Sequence, residues 1–87
     1  MGSVKGWRYA PGRKAIVTKL KMKHFMAVVM AIQKIAKLAE KADHHPDIHL
    51  TGYRHLKLVL SSHDVGKVTE RDFRLALEIN RILAKSR

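Results

Sequence analysis

The residues of this chain best suited to proton transfer are the adjacent pair in His44-His45-Pro46 and a later histidine, His63. Imidazole titrates nearer to neutrality than any other unperturbed side chain, so one ring can hold a proton while another accepts one under the same conditions. The pair stands where a helical pattern runs out, and His63 ends a later apolar stretch. Three histidines at element ends point to acid and base work, provided that one pocket collects them. Histidines at element ends also often satisfy only local hydrogen bonds, so the elements that position them must be read next.

The chain has 87 residues and no cysteine. It is expected to fold as a single domain, residues 1–87, that buries roughly 60% of the surface its unfolded form exposes. Lacking cysteine, it has no disulfide framework, thiolate nucleophile or Cys-ligated zinc site. The longest apolar run, Phe25 to Ile32, is too short to span a bilayer, and Met1-Gly2-Ser3-Val4-Lys5 lacks the apolar segment of a signal peptide. A cytoplasmic location is the expectation. Eighteen Lys and Arg against seven Asp and Glu give a formal net charge of +11. Such a charge steers anions, so nucleic acid is a possible partner. It is not favoured: the cations spread from Lys5 to Arg87, and no RNA-recognition, zinc-finger or basic-zipper motif accompanies them.

Gly6 to Tyr9 forms a short strand candidate before the turn residues Ala10-Pro11-Gly12. From Lys14 to Met22, alternation sets Ile16, Thr18, Leu20 and Met22 on one face and Ala15, Val17, Lys19 and Lys21 on the other, which predicts a half-buried strand. The period then changes. Phe25, Val28, Val29, Ile32, Ile35, Ala36 and Ala39 recur at helical spacing, predicting a long amphipathic helix over about 24–42. Its first half adds Met26, Ala27, Met30 and Ala31, more apolar surface than one sheet face requires, as a subunit interface or irregular core filling would explain. Pro46 ends any helix and leaves His44 and His45 on a connector. Ile48 and Leu50, then Leu56, Leu58 and Leu60, alternate around a turn near Gly52 to His55, a second hairpin over which Tyr53 is expected to pack. Thr69-Glu70-Arg71-Asp72 resembles a capping box with Asp in the usual Glu or Gln place, opening a final helix with Leu75, Ala76, Ile79, Ile82 and Leu83 on one stripe.

The order β-β-α-β-β-α predicts an α+β fold: a four-stranded antiparallel sheet with two helices packed on one face and the other face left open. The connector after the first helix and the segment after the last strand would then meet at one end of the sheet.

Glu40, three residues, His44-His45-Pro46, six residues, Tyr53, nine residues, His63, eight residues, Asp72: this spacing resembles the signature of the pterin-4a-carbinolamine dehydratases. The stretches Ala39-Glu40-Lys41, His44-His45-Pro46-Asp47-Ile48, Ser62-His63-Asp64-Val65-Gly66 and Thr69-Glu70-Arg71-Asp72, with Gly6-Trp7, extend the similarity over nearly the whole chain. The resemblance implies an oligomeric enzyme, a homodimer or homotetramer. It would remove water from 4a-hydroxytetrahydropterin in pterin recycling, with no cofactor and no metal. By the same resemblance His44 and His63 form the acid/base pair, His45 positions substrate, Asp72 orients a histidine or fixes its tautomer, and Glu40 and Trp7 support the site. Pro46 and the loop Ser62, His63, Asp64 and Val65 are expected to line the substrate.

Blander readings stand beside these. Asp72 also suits a first-turn helix anion, Glu40 an exposed partner of Lys37 or Lys41, and Trp7 a core residue. Zinc is disfavoured, since adjacent histidines rarely ligate one ion. Family members commonly begin with a helix that precedes the Gly-Trp pair, whereas only five residues precede Gly6 here, and pterin chemistry gives no reason for the +11 charge. A basic interaction module on the same fold, binding nucleic acid or a protein, and a pterin-binding protein without turnover are the alternatives.

Overall fold

The computed structural model describes residues 4–62 and 65–86, which contain four strands and two helices in the expected order. The strands are β1 (Arg8–Tyr9), β2 (Ile16–Lys21), β3 (Asp47–Thr51) and β4 (His55–Leu60), and the helices are α1 (Phe25–Ala42) and α2 (Glu70–Ser86). All strand pairs are antiparallel, in the order β1-β2-β4-β3. β4 is thus central, and its core-facing Leu56, Leu58 and Leu60 are almost wholly buried.

Alternation decides which face is covered. Ile16 and Thr18 of β2 lie opposite Leu60 and Leu58 of β4, so these residues share one face, and Leu20 lies opposite Leu56 on that face. Against it pack Val28, Ala31 and Ile35 of α1 and Leu75, Ala76, Ile79 and Leu83 of α2, in one cluster. Both helices therefore lie on the same side of the sheet, and the other side is open. None of the helices among the described residues is long and apolar enough to cross a membrane.

Several boundaries differ from the sequence expectation. β1 holds only Arg8 and Tyr9, because the chain at Gly6 has a positive φ of 84° and the Trp7 N–H is spent on the Val4 carbonyl in a turn. Tyr53 does not pack over its hairpin: its φ of 57° in the turn aims the ring outward, and it is 60% exposed. His24 caps α1, its Nδ1 accepting the Ala27 N–H at 3.1 Å.

Candidate active site

The first helix ends in a way that fixes the backbone of His44. Asp43 takes the left-handed conformation (φ 51°, ψ 44°). The His44 N–H then donates to the Ala39 carbonyl at 3.1 Å, and the Asp43 N–H to the Glu40 carbonyl at 3.2 Å. This is a Schellman closure with aspartate in the place usually held by glycine, a substitution that Asp tolerates better than most residues. Pro46 follows and prevents the helix from resuming.

The second element is the loop between β4 and α2. The Ser62 N–H bonds the Lys67 carbonyl, while the Ser62 carbonyl accepts from the N–H groups of Val65 and Gly66. Beyond it, Asp72 stands three, four and seven residues before Leu75, Ala76 and Ile79, on the buried stripe of α2. A carboxylate heading such a stripe is enclosed by the core. Asp72 has no solvent exposure.

Its burial is compensated by three partners. Oδ2 accepts the Thr69 N–H at 2.8 Å and the Ser62 hydroxyl at 2.9 Å, and Oδ1 lies 2.6 Å from His44 Nε2. The Ser62 and Thr69 hydroxyls also meet, at 2.7 Å. Half of the capping box is formed, from Asp72 back to the Thr69 N–H, while the threonine hydroxyl turns to Ser62 instead of to the helix. Leaving a buried carboxylate unpaired would cost several kcal/mol, so the network holds as a unit.

An acceptor-only carboxylate at Oδ1 requires that His44 Nε2 carry a hydrogen. The nitrogen of His44 left free by this contact is then Nδ1, which has no hydrogen-bond partner among the described residues. The ring is mostly enclosed, with 10% of the side chain exposed. His45 points the other way, as neighbours on an extended connector do. Its Nε2 meets Glu40 Oε2 at 2.5 Å with both side chains largely exposed, a pair that contributes little to stability.

The structure thus brings His44, Asp72 and Ser62 together and pairs His45 with Glu40 alongside. Pro46 is half-buried beside them in sequence, and Val65 is 53% exposed on the loop. His63 and Asp64 lie outside the described residues. Trp7 is buried elsewhere: its indole N–H donates to Asn80 Oδ1 at 3.0 Å, about 12 Å along α2 from Asp72. Sequence reasoning missed Thr69 as a member of the Asp72 network and Asn80 as the partner that holds Trp7 apart from it. The capping signature pointed to Thr69 only as a helix start. His49 and His55 lie on the open sheet face.

Comparison with known proteins agrees with this architecture. A relative from Koribacter versatilis, named "Putative pterin-4-alpha-carbinolamine dehydratase", is 42% identical over 94% of this chain and 84% of its own length. One of the same name from Sulfolobus acidocaldarius is 39% identical over 94% of this chain and 87% of its own. Among solved structures, a transcriptional coactivator/pterin dehydratase from Brucella melitensis superposes with a TM-score of 0.83 at 35% identity, covering 90% of this chain and 82% of that one. A pterin dehydratase-like RuBisCO assembly factor of the alpha-carboxysome shares the fold, with a TM-score of 0.74 at 15% identity over 88% of each chain. The family model described as pterin 4 alpha carbinolamine dehydratase matches residues 1–82, and on that match and these identities the chain belongs to this family.

Proposed function

We propose that the chain is a cytoplasmic hydro-lyase that converts 4a-hydroxytetrahydropterin to quinonoid dihydropterin in tetrahydrobiopterin recycling. The observation that carries the proposal is the His44–Asp72 contact, a histidine whose tautomer is set by a buried carboxylate inside a family of pterin dehydratases. In the reaction the bond from carbon 4a to oxygen breaks. The leaving oxygen takes a proton from an acid and departs as water, and a ring nitrogen gives its proton to a base. No electrons are gained or lost overall, so the pterin is the substrate and no cofactor is called for.

His44, through Nδ1, is one member of the acid/base pair, and by family resemblance His63 is the other. His45, exposed and tethered to Glu40, positions substrate. Ser62 acts through Asp72, because its hydroxyl is already bonded there, whereas Val65 offers its side chain at the rim. The exposed apolar residues Phe25, Met26 and Met30 of α1 support self-association as a homodimer or homotetramer.

The test is the breakdown of 4a-hydroxytetrahydropterin by the native chain, His44→Ala and His63→Ala. A general acid or base contributes about 10²- to 10⁴-fold, so each variant is expected to lose about that much in kcat while remaining folded. A native chain that binds pterin without accelerating its dehydration over the spontaneous reaction would refute the enzyme.

A further inference from the structure

The open face of the sheet is the most highly charged feature that the dehydratase reading leaves unused. Cross-strand register places Arg8, Lys19, Lys21 and Lys57 on it together with His49 and His55. All six are exposed. The acid on this face is Asp47, at the outer edge strand, and the ion pairs identified among the described residues, His44–Asp72, His45–Glu40 and Arg81–Glu78, lie elsewhere. Lys19 and Lys57 are direct cross-strand partners, and His49 lies on the far side of Lys57. Like charges directly opposite destabilise a sheet. Two open hollows, of about 690 and 460 Å³, flank this lysine pair and share both lysines as walls.

We infer that this face binds the phosphate backbone of double-stranded nucleic acid without reading its sequence. From Val17, the partner of Arg8, to Lys21 the strand runs about 14 Å, and over that distance one strand of a duplex presents about four phosphates. Four lysine and arginine charges meet them. The face lacks what other partners need. Single-stranded nucleic acid takes its affinity from bases stacked on exposed aromatic rings, and the rings bordering this face, Trp7 and Tyr9 in the wall of the larger hollow, are buried or half-buried and engaged with Asn80 and Phe73. A protein partner relies on aromatic or apolar anchors, and the strand positions that point to this face carry only the half-buried Val17 and Val59, with further apolar residues confined to the walls of the hollows. A duplex backbone requires only the charges.

The experiment is fluorescence anisotropy of a labelled random-sequence 20-base-pair duplex titrated with the full chain at rising salt. Four neutralised phosphates give a slope of log affinity on log salt of about −3.6, hence about a 150-fold loss of affinity from 50 to 200 mM salt. Lys19→Gln/Lys57→Gln halves the slope to about −1.8 and the loss to about 12-fold. This pair is expected to fold at least as well as the native chain, because it removes a repulsion. Arg8→Gln/Lys21→Gln repeats the test at the ends of the face and is expected to give the same halved slope. Lys34→Gln/Lys37→Gln removes equal charge from exposed positions of α1, on the covered side of the sheet, and is expected to keep the native slope. The inference is overturned by no binding at 50 mM salt, by an equal loss in the α1 variant, or by polyglutamate displacing the duplex at equal charge concentration, which would assign the face to an acidic protein segment.

Discussion

Replacing Asp72 with asparagine separates the two roles this carboxylate can play, helix anion or tautomer clamp. The shape is kept, and the amide oxygen can take the place of Oδ2 to receive the Thr69 N–H and the Ser62 hydroxyl. The amide nitrogen then faces His44 Nε2, and two N–H groups cannot bond each other. The ring must shift its hydrogen to Nδ1 so that Nε2 accepts. Nδ1, the atom assigned to proton exchange, is thereby changed from acceptor to donor. The contacts persist, but each changes from a bond to a carboxylate into a neutral one at a fully buried site, which costs about 1.5–3 kcal/mol in all. For a domain of this size that lowers Tm by roughly 6–24 °C.

The rate should fall further than the stability alone explains, by about 10²- to 10³-fold in kcat with the protein still folded. The hydrogen on His44 can be followed directly by imidazole nitrogen NMR, which separates the two tautomers. The expected spectrum is Nε2–H in the native chain and Nδ1–H in Asp72→Asn. If the tautomer and kcat are both unchanged while Tm falls, Asp72 is a structural anion of the first helical turn and the clamp argument fails. Asp72→Ala does not make this distinction, because it removes the acceptor of the Thr69 N–H, the Ser62 hydroxyl and His44 together and leaves a cavity, at a cost of several kcal/mol, much of the stability of a small domain.

Three further outcomes follow from the same geometry. Asp43→Val places a β-branched side chain at a φ of 51°, so it should cost about 1–2 kcal/mol in denaturant unfolding and lower kcat by displacing His44, whereas Asp43→Gly should unfold no more easily than the native chain. Glu40→Gln leaves an exposed contact weaker, so stability should stay within about 0.5 kcal/mol while KM rises; an unchanged KM would remove Glu40 and His45 from substrate positioning. Met26→Glu/Met30→Glu puts charge into the exposed apolar patch of α1, and on the proposed self-association sedimentation should show a larger species for the native chain than for the variant; equal species would count against that face as an interface.

The elements that were legible in the sequence are those whose pattern is set by one local physical rule. Ile16, Thr18 and Leu20 alternate because one face of β2 is buried, and the period of α1 follows from its single covered stripe. The site was legible as a set of residue types, and its wiring was not. Nothing local in Thr69-Glu70-Arg71-Asp72 says that the threonine hydroxyl leaves the helix for Ser62, and Trp7 meets Asn80 across almost the full length of the chain. One signal was available: Asp72 lies at helical spacing from Leu75, Ala76 and Ile79, and an acid on an apolar stripe must have a buried partner.

Charge shows the same limit in its strongest form. Spread along the sequence, the cations read as a solvated surface, because linear order carries no information about which of them become neighbours. The register of β2 on β4 turns Lys19 and Lys57 into direct partners, with Arg8 and Lys21 along the same face. That arrangement stores repulsion that a neutral pterin would not relieve and that a polyanion would. The antiparallel sheet therefore does two separate things with one alternation: its leucine face holds the helices that present His44 and Asp72, and its lysine face is left as a field for phosphate.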